Sequence, residues 1–175
     1  MAHFRRIALA ALWAAALACH RPIPSASSLA APPIPEPKAP DKTVTLFFVH
    51  PVTGDLAPAL STLAPSEDPA EQARDVVEKL LAGPKDSSLI SPIPDGATLR
   101  AVFLIGPTLV VDFGFPTDAP AVEGSRNELA FAYAVTNTVC LNFSDIKSVR
   151  ILINDADDSP LLTHLSLRAA FTPKI

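Results

Sequence analysis

Four histidines, two cysteines, two acid-bearing motifs and one serine are the groups in this 175-residue chain that could do chemistry. His3, His20, His50 and His164 are scattered, none with a partner three or four residues away. Zinc needs clustered, deprotonated ligands, so the spacing argues against a metal centre and for ordinary exposed or hydrogen-bonded histidines. Asn154-Asp155-Ala156-Asp157-Asp158 offers several hard oxygen donors, as calcium prefers, but lacks the central glycine and distal glutamate of a calcium loop. It reads as a solvated turn. Asp112 and Glu128 could work as a carboxylate pair in acid–base catalysis, against the plainer reading of a strand-end acid and a helix-cap partner. Gly124-Ser125 does not extend to the G-x-S-x-G turn of a serine hydrolase, and Ser125 is better placed as a helix cap. No glycine-rich phosphate loop is present, so neither a catalytic residue nor a cofactor is expected.

The elements that would position these groups follow from periodicity. Thr43–Val49 is β-branched and aromatic and reads as a buried strand, followed by a turn at His50-Pro51 and Thr53-Gly54-Asp55. Asp68-Pro69-Ala70-Glu71 opens a helix, with proline at its first position. Ala73, Val76, Val77, Leu80 and Leu81 then recur along one helical face, and Gly83-Pro84 ends it. Ser87–Gly96 is a loop. Leu99–Ile105 and Thr108–Phe113 form a hairpin around Gly106-Pro107. Ser125-Arg126-Asn127-Glu128 reads as a second capping box, opening a helix through about Leu141 that is apolar almost all round and must therefore be covered. Val149–Ile153 is a further strand and Leu161–Leu167 a last edge strand. The expected fold is α+β, in the order β-α-β-β-α-β, with two helices packed on one face of a mixed sheet.

The chain is 49% hydrophobic and 18% charged, with a formal net charge of −4. That composition excludes a charged disordered chain, and the acidic balance gives nucleic-acid binding no support. After the N-terminus the apolar residues are dispersed, which excludes a multi-pass membrane protein. Arg5 and Arg6 precede a twelve-residue apolar run, Ile7–Ala18, which is too short to span a bilayer and suits a secretion signal. The run ends in Ala16-Leu17-Ala18-Cys19, which resembles the lipobox of bacterial lipoproteins. That resemblance implies cleavage before Cys19 and its diacylation. The alternative is ordinary cleavage after Ala18, since Ala16-x-Ala18 also fits a signal-peptidase site. Removing Arg5 and Arg6 with residues 1–18 would take the net charge from −4 to −6. An acidic body of this kind would not lie flat on an anionic bilayer.

Residues 20–42 hold seven prolines in 23 positions and read as a semi-rigid stalk, reaching up to roughly 70 Å at about 3.1 Å per residue. The expected organisation is therefore a signal at 1–18, a lipid-anchored stalk at 19–42 and one domain at 43–173. Cys140, between Val139 and Leu141, reads as a small buried apolar residue. A bridge from it to Cys19 would pull the whole stalk against the domain and is disfavoured.

Several stretches, in order, resemble the GerMN domain of sporulation and spore-germination proteins. They are Leu80-Leu81-Ala82-Gly83-Pro84, Ile93-Pro94-Asp95-Gly96-Ala97-Thr98-Leu99, Val110-Val111-Asp112-Phe113, Ser125-x-x-Glu128 with Asn137-Thr138, and Val149-x-Ile151-x-Ile153-Asn154. Two positions depart from the family pattern. Gly114 stands where it has serine, and Asp155 follows Asn154 where it often has glycine. The resemblance implies a fold like the ring-building motifs of secretion and sporulation assemblies. It also implies a non-catalytic envelope lipoprotein that scaffolds other envelope proteins or itself, held outside the cytoplasm on a membrane through Cys19. The competing expectations are an envelope enzyme acting on peptidoglycan, which needs converging acids in a cleft, and a small-ligand module, which needs a sizeable apolar cavity.

Overall fold

A computed structural model describes residues 40–174, so the expected signal, most of the stalk and Cys19 lie outside the described residues. The elements are β1 (Lys42–Val49), β2 (Leu56–Leu63), α1 (Pro69–Leu81), β3 (Thr98–Ile105), β4 (Thr108–Gly114), α2 (Ser125–Asn142) and β5 (Ser148–Ile153). The architecture is α+β, as expected, but the strands form two sheets. One is the antiparallel β1–β2 hairpin. The other has the order β3-β4-β5, antiparallel between β3 and β4 and parallel between β4 and β5.

The division has a physical cause in α2. The outward backbone groups of β1 are met by side chains of that helix rather than by another strand. Asn142 accepts from the Thr45 amide at 2.9 Å and donates to the Thr45 carbonyl at 2.7 Å, and the Thr138 hydroxyl accepts from the Phe47 amide at 3.0 Å. One turn apart on the helix, these side chains match the two-residue step of the strand. A two-way backbone pairing of Val49 with Ile90 closes the rest of that edge.

Strand β2 is absent from the sequence reading because Pro58 interrupts an otherwise ordinary run. Its position explains why it is tolerated. Since Thr45, Phe47 and Val49 bond outward, Leu46 and Phe48 bond to β2, and Pro58, opposite Phe47, needs no donor toward β1. Leu161–Leu167, expected as a strand, is irregular, though Leu161, Leu162 and Leu167 are buried. The amides of Thr163 and His164 are drawn to the Glu128 carboxylate instead of a neighbouring strand.

Helix α1 forms as its sequence dictates. The Asp68 side chain accepts from the Ala70 amide at 2.8 Å, Pro69 fills the first turn, and Gly83 takes a positive φ (+83°) just past the end. Ala73, Val76, Val77 and Leu80 are fully buried. Helix α2 contains Val135, Thr136, Thr138 and Val139, whose branched side chains favour helix weakly, so its stability comes from burial on nearly every side. The core joins the inner faces of both sheets to both helices, with Phe113 and Phe131 in edge-to-face contact at 5.4 Å. The C-terminal segment closes over α2. Asn137 donates to the Lys174 carbonyl and accepts from its amide, both at 2.9 Å. Asn137 and Thr138, two of the residues that carry the family resemblance, thus hold the edges of the fold.

Candidate functional site

Glu128 is completely buried, yet it lies in the first turn of α2. The expected capping box does not form. The N-cap is Gly124, at φ +81°, with no side-chain bond, and Ser125 is the first helical residue rather than the cap. Glu128 follows the buried stripe of Phe131, Ala132, Val135 and Val139 instead, at helical spacing i, i+3, i+4, i+7 and i+11. Its carboxylate accepts from the Thr163 amide at 2.8 Å, the His164 amide at 2.9 Å and the Thr163 hydroxyl at 3.3 Å, and meets the His164 Nδ1 at 3.1 Å. Burial pushes the carboxyl pKa up, but these bonds, led by the His164 ring and the two backbone amides, outweigh it and hold the pKa below its ordinary value of 4.5. Glu128 is therefore an ionised acceptor near neutral pH, the opposite of what a general acid requires.

Asp112, on β4, belongs to a separate network. Its Oδ1 accepts from the Asp155 amide at 3.1 Å, and its Oδ2 lies 3.5 Å from Arg100 Nε without a hydrogen bond. Arg100 Nη2 also binds Asp155 at 2.5 Å. A bulge between Leu99 and Ala101 places Arg100 out of register, where it can reach across β4. The departures from the family pattern fall here. A Cβ on Gly114 would lie 2.6 Å from Thr98 Oγ1 and 2.9 Å from Arg100 Cδ, so serine would force both side chains aside. Asn154 and Asp155 both take left-handed backbone, at φ +53° and +67°. The Asn154 side chain bonds both the amide and the carbonyl of Phe115, at 3.0 and 3.1 Å, and its amide bonds the Phe113 carbonyl. Those bonds stabilise a conformation that only glycine adopts without cost.

Asp112 and Glu128, the pair considered for acid–base work, thus share no partner, and each fastens a different loop. The calcium-like run is engaged in pairing, Asp155 with Arg100, Asp157 with Arg150 and Asp158 with Arg168. His50 Nδ1 accepts long bonds from the Val52 and Thr53 amides in its own turn. Cys140 is half-buried against the core, and burial raises its thiol pKa against the opposing charge of Lys147. An apolar groove of about 670 Å³ runs between α2 and the outer face of β1–β2, lined in part by Phe47, Leu56, Pro58, Leu129, Tyr133 and Leu141. It is open to solvent, and neither Asp112 nor Glu128 lines it.

These features describe an α+β module whose buried polar residues serve its own loops. Residues 45–159, about two thirds of the chain, match the Germane family, described as sporulation and spore germination. The chain belongs to that family and carries a GerMN-like domain. Two solved structures share the fold. A candidate lipoprotein from Clostridium perfringens is 16% identical, with 75% of this chain and 87% of that one covered and a TM-score of 0.53. The tandem GerMN domains of the sporulation protein GerM from Bacillus subtilis are 14% identical, with a TM-score of 0.50. There the match covers 77% of this chain and 46% of the tandem, so the chain spans about half of that protein. No curated protein matches the chain. Among the described residues, no helix is long and apolar enough to cross a membrane.

Proposed function

We propose that this protein is a non-catalytic lipoprotein of the bacterial cell envelope, whose GerMN-like domain assembles with other envelope proteins or with copies of itself. A diacylated Cys19 anchors it outside the cytoplasm, and the proline-rich stretch before β1 spaces the domain from the bilayer. The observation that carries this reading is the state of Glu128. The one fully buried acid among the described residues is ionised and committed to holding the 163–164 loop, where a general acid or base would have to be free to exchange a proton. Membership in a family described by sporulation and germination supports the setting, and the likeness to a candidate lipoprotein supports the anchor.

Mass spectrometry of the mature chain from native membranes, paired with crosslinking in cells, tests both parts. A diacyl thioether on an N-terminal Cys19, release of the Cys19→Ala variant from the membrane, and crosslinks from the domain to itself or to envelope proteins are the expected results. Each buried methylene contributes about 0.8 kcal/mol, so losing the acyl chains should solubilise the protein outright. A bare thiol at Cys19 would remove the anchor, and a domain that stays uncrosslinked would remove the assembly role.

A further inference from the structure

The apolar groove between α2 and the outer face of β1–β2 is open among the described residues, and its chemistry narrows what can fill it. One wall is a stripe of α2, Leu129, Tyr133, Asn137 and Leu141, and the other carries Phe47 and Pro58. Neither wall has a free backbone group to offer. The α2 amides are spent within the helix, and β1 is bonded to β2 on one edge and to Thr138 and Asn142 on the other. Asn137 is committed to Lys174. A strand laid here would leave its own amides unpaired. Two kinds of chain need no backbone partner, a helix and polyproline II, and a groove lined by aromatic rings and proline favours the second.

The groove also carries two cations. Arg126 is held by Asp55 and by the Thr53 carbonyl. Lys174 Nζ lies over the Tyr133 ring at 5.8 Å, and no carboxylate pairs with it among the described residues. In a chain of net charge −4, such a cation calls for an acid from the occupant. Pro32-Pro33-Ile34-Pro35-Glu36-Pro37, outside the described residues, supplies both properties. Four of its six residues are proline, and Glu36 is the one acid between Cys19 and Pro40. Six residues of polyproline II extend about 19 Å, and the step along α2 from Leu129 to Leu141 rises about 18 Å. Its three-fold repeat sets Pro33 and Glu36 on one ridge and Pro32 and Pro35 on the next.

We infer that this segment of one copy lies in the groove of a second copy, with Glu36 paired to Lys174 and the prolines packed on Tyr133, Phe47 and Pro58. The segment's own domain is the poorer fit. Lys42, where β1 begins, lies beside Asn142 at the Leu141 end of the groove. The segment would have to double back over the few residues between, while Pro37 and Pro40 hold Glu36 and Ala39 extended. Across a two-fold axis the exchange is reciprocal, and residues 20–31 of each copy remain as the spacer. Anchoring on one membrane raises the effective concentration for it. This rests on the assembly role proposed above and names the surface and the partner segment for it.

The test uses the full chain, extracted from membranes in detergent. Glu36→Lys and Lys174→Glu should each weaken self-association about tenfold in sedimentation equilibrium. The chain carrying both changes should recover it, because opposite charges meet again, and Glu36→Lys should leave thermal melting unchanged. A Glu36→Lys chain that associates like the native one, or a double variant as weak as either single one, would overturn the pairing. Glu36→Cys chains mixed with Lys174→Cys chains should form a reducible heterodimer under mild oxidation. A chain carrying both cysteines that closes within itself at every dilution would sink the second copy. A native chain that is monomeric yet crosslinked to a different envelope protein in cells would also sink it and leave the assembly role standing. A monomer crosslinked to nothing would sink both.

Discussion

Two buried carboxylates hold two loops of this domain by different means. Glu128 takes its contacts from the backbone and side chains of a single dipeptide, Thr163-His164, and both of its oxygens are engaged. Asp112 has one oxygen on the Asp155 amide and the other facing Arg100 without a hydrogen bond. The first is a network in which a buried carboxylate has both oxygens hydrogen-bonded, although the residues that clasp it, Thr163 and His164, lie at the surface. The second is an ion pair whose cation is 40% exposed and shared with Asp155. Removing an acceptor that several donors share leaves each of them unpaired, whereas an acid with one hydrogen bond and one unbonded oxygen has less to lose. Glu128 should therefore be structurally indispensable and Asp112 adjustable.

The sharpest way to break the comparison is Glu128→Ala. It leaves the part-buried amides of Thr163 and His164 without their acceptor and opens a cavity at the first turn of α2, where no side-chain cap offers reserve stability. We expect a loss of about 3 kcal/mol or more. In thermal melting that should appear as a drop of roughly 10 °C. An unchanged melting point would mean the 163–164 loop is held by its leucines alone.

Acid is a gentler probe of the same network. The folded carboxyl of Glu128 titrates below 4.5, so its contribution is fully present above the unfolded value. It is lost as pH falls through the lowered folded value. Other carboxylates also titrate in that range, so the informative quantity is the difference between the native chain and Glu128→Gln. Below about pH 5.5 that difference should shrink on further acidification. A difference that keeps growing through that acid range would contradict the assigned direction.

Asp112→Ala should cost less, about 1–2 kcal/mol, because it removes one hydrogen bond and a screened pair, together with an oxygen that lacks a donor. Chemical denaturation of the two alanine variants side by side would test the ranking, and equal losses would erase the distinction between closed and open networks.

Much of this arrangement is legible in the sequence. Asp68, Pro69 and the apolar stripe of α1 define that helix because all of its signals are local. The β3–β4 hairpin is equally local, set by Gly106-Pro107. The acid sites are less legible because their partners lie far along the chain. Ser125-x-x-Glu128 satisfies a capping pattern, yet the glutamate is in phase with Phe131, Ala132, Val135 and Val139, and phase locates it correctly where the pattern does not. Its partners, 35 and 36 residues away, leave no local trace. Strand β2 escapes notice because the benefit of an edge proline becomes visible only once β1 is seen to bond outward to α2. The same helix explains the two sheets, since nothing in the spacing of Thr138 and Asn142 reveals that they replace a strand.

His164 supplies the finest test, because its ring is the least protected part of the closed network, with the side chain 57% exposed. The ring lies 3.1 Å from Glu128, but the stronger geometry belongs to the backbone, whose amides approach at 2.8 and 2.9 Å. His164→Ala keeps both amides and removes only the solvent-facing contact, so it should cost less than about 1 kcal/mol. It should also leave the 163–164 amides slow to exchange with solvent hydrogen, whereas Glu128→Ala should expose them. If His164→Ala were as damaging as Glu128→Ala, the imidazole and not the backbone would be the principal clasp, and the contrast with Asp112 would have to be redrawn as one between two side-chain ion pairs.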